Sequence, residues 1–153
     1  MHTPIVMLHH VGDEPELDSL KPYAISRSSF IRLLDGLEEA GFSTAVFNNQ
    51  AVPSASIYTG KKVVLSFDDC PRHLWDFAIP ELLRRGMKAA FYMPTAHIGG
   101  YNEWDAREGR SRVELMKEAE LRELSRLGME VGSHGHRHIR LADAEDEKEI
   151  LDE

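Results

Sequence analysis

The sequence holds a single cysteine, Cys70, and that scarcity excludes two kinds of structure at once. No intrachain disulfide can form, so nothing points to an oxidising compartment, and a structural zinc site built from several cysteines is ruled out. Long apolar runs are missing too: none approaches the ~20 residues that a transmembrane helix needs. The opening segment through Leu8 is apolar but short, with no basic leader and no small-residue cleavage site. It reads as a first buried strand rather than a signal peptide, and the localisation expected from the sequence as given is cytoplasmic by default. Basic clusters are also lacking. Lys and Arg number 18 against 26 Asp and Glu, a formal net charge of −8, which argues against a nucleic-acid surface.

What is present fits one globular domain. The chain has 153 residues, enough for a real core. The acid is concentrated at one end: Asp143 to Glu153 holds seven carboxylates and one Lys, read as a solvated helix. Ile5 to Leu8 suits a strand. Asp13 to Pro22, with Pro15 and Pro22 among acids, reads as an exposed loop. Ser28 or Ser29 is placed to cap a helix with an apolar stripe of Phe30, Leu33, Leu34 and Leu37, stopped at Gly41. Phe42 to Phe47 alternates like a strand, and Asn48 to Gly60 reads as a loop. Lys62 to Phe67 is a buried strand ending at Asp68 and Asp69. Leu74 to Arg85 is a helix closed by Gly86, Ala89 to Met93 a strand closed by Pro94, and a polar loop with Gly99, Gly100 and Gly109 follows. Glu118 to Leu127 is a helix ended by Gly128, Met129 to Gly132 a strand, and a last helix starts from Asp143. Strands alternating with helices predict an α/β fold with a parallel sheet and right-handed crossovers. In such sheets sites gather at the carboxyl ends of strands, so Asp68-Asp69 and the segment from His134 to His138 should share one rim.

Two adjacent carboxylates after a buried strand are costly unless they are paired or bind a cation. Neighbouring side chains diverge at a strand end, so one can bind a metal while the other reaches a bound water. The plainer reading is a pair of loop aspartates capping the next helix. In His134-Gly135-His136-Arg137-His138 the first and last histidines are spaced i, i+4. One helical turn would place both on one face, a spacing that suits two imidazoles on a divalent metal, with His136 pointing elsewhere. The alternative is an exposed basic loop. Together the segments offer carboxylate and two imidazoles with open positions, a catalytic rather than a structural arrangement. Such a metal polarises a carbonyl and lowers the pKa of its water, and a second carboxylate can take the proton.

Ser66-Phe67-Asp68-Asp69 resembles the Thr-Phe-Asp-Asp-Gly motif of NodB-like polysaccharide deacetylases (carbohydrate esterase family 4), and the segment from His134 to His138 resembles their His-Ser/Thr-x-x-His motif. The stretches from Ala78 to Leu83 and from Lys88 to Tyr92 are similar to the family's intervening helix and strand, and Pro4 to Val11, with His9, to its N-terminal strand. The resemblance implies that Asp68 is the general base and that Asp69, His134 and His138 bind a divalent metal, zinc first. The reaction it implies is hydrolysis of an acetamide on an N-acetylated sugar polymer, or of an acetyl ester, with metal and backbone donors steadying the oxyanion.

Three features depart from that pattern. Cys70 stands where the family has glycine, and is read as a small residue that fits rather than as a metal-facing thiolate. Gly135 replaces Ser or Thr, which removes one local hydrogen bond. The length is the larger departure: a full barrel of this kind takes roughly 200 residues or more. The later motifs, an arginine beside the base, an aspartate-tryptophan groove wall and a catalytic-acid histidine, have no matching residues. Residues 1–153 are therefore expected to form one incomplete, distorted (β/α) barrel with an exposed edge, truncated before the later motifs: either the chain is a fragment, or a partner chain or a dimer completes it. His9, His10 and His73 are the candidates for protonating the leaving amine. Trp75, Trp104, Tyr101 and Asn102 are candidate sugar contacts, with Trp75 better read as core and Trp104 as a loop anchor. Two other readings stand beside the deacetylase: a non-catalytic metal- or carbohydrate-binding relative, and a mononuclear iron oxygenase using two His and one carboxylate.

Overall fold

A computed structural model of the chain describes residues 3–47 and 60–153, and the loop expected from Asn48 to Gly60 falls almost wholly outside them. The centre of the fold is β5 (Lys61–Asp68), whose residues from Val63 onward are buried on both faces, as a continuous apolar run in a parallel sheet should be. β1 (Ile5–Leu8) and β6 (Ala90–Met93) pair with it in parallel, and β7 (Glu130–Ser133) pairs with β6, giving the order β1-β5-β6-β7. β4 (Phe42–Thr44) pairs with the first residues of β5. A separate short parallel pair joins β2 (His10–Val11) to β3 (Ala24–Ile25). The registers Asp68↔Tyr92 and Met93↔Ser133 bring the carboxyl ends of β5, β6 and β7 to one rim.

The helices are α1 (Arg27–Glu39), α2 (Ala78–Arg84), α3 (Glu103–Arg107), α4 (Glu118–Arg126) and α5 (Glu147–Asp152). None among the described residues is long and apolar enough to cross a membrane. The main core gathers Phe30 and Leu34 of α1, Leu65 and Phe67 of β5, Leu82 of α2 and Phe91 of β6. The Phe67 and Phe91 rings stack with centroids 5.1 Å apart, and Phe30 meets Phe67 edge-on at 6.1 Å.

Several boundaries differ from the sequence reading. Ser26, not Ser28 or Ser29, caps α1, its hydroxyl accepting from the Ser29 N–H at 3.1 Å. The helix read from Leu74 to Arg85 is divided: 3₁₀ turns span Arg72–Asp76, Phe77 breaks the run, and α2 restarts at Ala78. Pro80 explains this, since it has no N–H for the Asp76 carbonyl and its ring would clash there. The strand read from Phe42 to Phe47 ends at Thr44. The acid-rich stretch read as exposed loop forms 3₁₀ turns over Pro15–Tyr23, and its Leu17 and Leu20 are buried against Val113. The last helix starts later than Asp143, with Asp146 capping α5.

The fold is an α/β arrangement around an open parallel sheet, an incomplete barrel as expected. Among the described residues β1 and β7 each pair on one side only, and Ile5 and Met7 of β1 lie exposed.

One ionic cluster ties α1 to α2. The Arg85 guanidinium is almost wholly buried, 2.7 Å from Asp35, Glu38 and Glu81. The hydrogen bonds from Arg84, joined by those from Arg85, hold the Glu81 carboxyl down to about 2. A depressed carboxyl stabilises the fold above its unfolded pKa of 4.5 and loses that contribution as pH falls toward 2. Urea melts between pH 5 and pH 2 should therefore show falling stability, and Glu81→Gln should flatten that dependence. Phe67→Ala should cost about 3–5 kcal/mol in the same melts, by opening a cavity in the core.

Candidate metal centre

The chain leaves β5 in an unusual conformation. Asp69 and Cys70 both have positive φ, 67° and 52°. Each such non-glycine residue costs on the order of 1–2 kcal/mol, so the surroundings must hold the turn in place. They do so through the segment 113–116: Met116 N–H donates to the Cys70 carbonyl at 3.0 Å, and Arg72 N–H to the Glu114 carbonyl at 2.8 Å. The Cys70 side chain is fully buried in the apolar core, where burial pushes its thiol well above the usual range. It therefore packs as a small apolar group, as read from the sequence, and stays outside the donor cluster.

The turn places Asp69 beneath the segment that follows β7. Its Oδ1 lies 3.1 Å from His138 Nε2 and 3.6 Å from His134 Nε2. Potential ligand atoms of Asp69, His134 and His138 all fall within 4.8 Å of one another. Asp69 Oδ1 is buried, yet neither ring nitrogen gives it a well-directed hydrogen bond. A buried carboxylate oxygen in that state is costly, and a shared cation in front of it would remove the cost. One carboxylate and two imidazoles also form the donor set that divalent ions take in open, catalytic sites. The residues present fit such an ion.

The way the two histidines meet differs from the sequence reading. No helical turn joins them. His134 continues β7, its N–H donating to the Met93 carbonyl, and the chain then passes through left-handed residues at Gly135 (φ 73°) and His138 (φ 60°). His136 is turned aside, its Nδ1 2.8 Å from the Thr95 hydroxyl. Gly135 is also more than a lost hydroxyl: its φ of 73° favours glycine, and a Cβ there would stand 2.6 Å from Glu153 Oε1, so the Glu153 carboxylate would have to shift.

The two carboxyls differ electrically. Burial pushes Asp68 above the usual carboxylate range, against the pull of His134 and His9. At Asp69 burial acts the same way, but the His138 ring, helped by His9 and His134, holds it below its ordinary value. His138 is raised in turn, the Asp69 charge outweighing the effect of burial. Asp69 is thus the lasting anion of the pair, and Asp68 the carboxyl better able to take up a proton.

The remaining candidates divide. The Trp104 ring stacks on His138 with centroids 4.0 Å apart and meets the edge of His97 at 5.3 Å, so it packs against the centre itself. Asn102 is buried, with its side chain committed to Asp105, the Ser111 carbonyl and the Val113 N–H, and is no sugar contact. The Tyr101 ring is covered by the Arg112 guanidinium at 3.8 Å. Trp75 packs partly buried against the core. His10 and His73 stack on each other, and burial pushes His10 down to about 4 and lowers His73 as well. His9 differs from both, since its charge acts on Asp68 and Asp69. Sequence reasoning missed Glu153, whose carboxylate reaches back to the histidine segment across 14 to 17 residues. Its only signal was its place in an acid-rich helix, which reads as solvent-facing.

Solved structures share this fold. IcaB from Ammonifex degensii matches with TM-score 0.64 and 22% identity, over 87% of this chain and 53% of that one. The Streptococcus pyogenes deacetylase PplD, solved in complex with acetate, matches with TM-score 0.64 and 18% identity, over 93% and 60%. A polysaccharide deacetylase from Bacillus cereus matches with TM-score 0.68 and 18% identity, over 94% and 42%. At these identities the likeness speaks for the fold, and the chain spans about half the length of the structures it matches. No curated protein sequence is matched. The sequence pattern that defines the polysaccharide deacetylases does match, over residues 56–153, and the chain belongs to that family.

Proposed function

We propose that this chain supplies the metal-holding part of a hydrolase that removes acetyl groups from N-acetylated, or O-acetylated, carbohydrate. The observation that carries this reading is the buried Asp69 Oδ1 facing two imidazole nitrogens with no well-directed hydrogen bond. Asp69, His134 and His138 would hold a divalent ion, zinc being the first choice for two imidazoles and one carboxylate. That ion, when bound, supplies Lewis acidity toward the acetyl carbonyl and lowers the pKa of a water.

The protein's own part is to orient and to move protons. Asp68, next to the ligand Asp69 and raised by burial, accepts the proton of the attacking water at its carboxylate. His9 is the candidate for returning a proton to the leaving amine, because His10 and His73 are held neutral by burial. The domain would be one barrel unit, and the one-sided pairing of β1 and β7 among the described residues supports completion by further polypeptide, from this chain, a partner or a second copy. No observation favours the iron oxygenase reading. A non-catalytic binding relative remains the outcome to which a negative activity test would lead.

Acetate release from a chitooligosaccharide should depend on an added divalent ion and stop with a chelator. Asp68→Asn should lower the release by about 10²–10⁴-fold while leaving one ion bound per chain. Wild-type release by this variant would refute the base assignment. His138→Ala should weaken divalent-ion binding more than about 100-fold in a calorimetric titration, beyond the usual effect of losing an outer partner.

A further inference from the structure

The segment 134–139 aims both candidate imidazoles, yet it contains no helix or strand hydrogen bonds beyond His134. Its polar backbone is satisfied from two sides. On one side Thr95 N–H donates to the Gly135 carbonyl at 3.2 Å and Ala96 N–H to the His136 carbonyl at 2.8 Å. On the other side a single side chain, Glu153, accepts from three of the segment's backbone N–H groups. Glu153 Oε1 accepts from the N–H groups of His136 at 3.2 Å, Arg137 at 3.0 Å and Ile139 at 3.2 Å, and Oε2 accepts from Arg137 N–H at 2.9 Å. The Arg137 guanidinium adds a cation 3.6 Å from Oε2. The carboxylate is only 4% exposed, although it belongs to the most acidic stretch of the sequence.

A run of backbone N–H groups curling around one anion is a nest, and left-handed residues are what build it. Gly135 and His138 are those residues here. Glycine at 135 leaves room for the carboxylate, which approaches within 2.6 Å of where a Cβ would stand. The two candidate ligand residues thus sit at either end of a backbone curl whose centre is Glu153.

We propose that Glu153 is a positioning residue for the metal centre: its carboxylate stands in for the hydrogen bonds a helical turn would provide, and holds residues 135–139 in the shape that turns both imidazoles toward Asp69. This rests on the reading that Asp69, His134 and His138 hold a cation. It assigns Glu153 no contact with the ion or the substrate. Its role is to fix the two ring directions before the ion arrives, as outer partners of metal ligands do.

Cobalt(II) is a suitable probe, because its visible absorption reports ligand geometry as well as occupancy. Glu153→Ala should weaken Co²⁺ binding by about 10–100-fold and alter the visible bands of the loaded protein. Glu153→Gln keeps one acceptor oxygen but turns an amide N–H₂ toward the Arg137 N–H. It should lie between, about 3–10-fold weaker than wild type. If circular dichroism shows that Glu153→Ala does not fold, Glu153→Gln alone decides the matter. Wild-type affinity and an unchanged spectrum in every folded variant would overturn the proposal and leave Glu153 as an anchor for α5. If the wild-type protein takes up no Co²⁺, and His138→Ala changes nothing, the metal reading itself fails and this proposal falls with it.

Discussion

The site depends on one buried carboxylate oxygen. Asp69 Oδ1 sits out of water, opposite the Nε2 atoms of His134 and His138. Solvation lost there has to be replaced by charge of the opposite sign. The two rings supply some of it when protonated, and a divalent ion shared among all three residues would supply more. Much of the surrounding structure serves this contact. The left-handed pair at Asp69 and Cys70 points the carboxylate inward, and the segment 113–116 pins that pair through backbone hydrogen bonds.

The same contact separates the roles of two neighbouring aspartates. Asp68 ends β5 in register with Tyr92 and feels chiefly its own burial, which favours the protonated form. Asp69, one residue on, is held ionised by the histidines around it. A single step along the backbone therefore separates a carboxyl shifted toward its protonated form from one shifted toward its ionised form. The histidine side is fixed by different means. The Trp104 ring lies against His138, and a nest of N–H groups closes on Glu153. Neither support comes from a neighbour in sequence.

Family membership and the open sheet sit together comfortably. The chain covers about half the length of the solved structures it resembles, and its sheet has one-sided pairing at β1 and β7 among the described residues. The candidate ligands Asp69, His134 and His138 nevertheless all lie within the described part of the fold, on the rim formed by β5, β6 and β7.

Residue order alone was enough to determine the strand-helix alternation, the burial of β5 and the meeting of Asp68-Asp69 with the segment from His134 to His138 on one rim; the choice of Asp69 over Asp68 came from the family resemblance. Parallel strands place all their carboxyl ends together, so a motif at the end of each strand needs no coordinates to be matched. Pro80 also stood in the sequence as the cause of the broken helix before α2, although its effect is clear only with the chain traced. Tertiary structure decided the rest. The i, i+4 spacing of the histidines suggested a helical turn, but the nest around Glu153 imposes left-handed residues instead. Glu153, Trp104 and the segment 113–116 reach the site from far along the chain, and a buried acid in an acid-rich tail looks solvated until its N–H partners are in place. Periodicity reports which face of an element is apolar; it carries no information about which distant group will satisfy a particular buried atom.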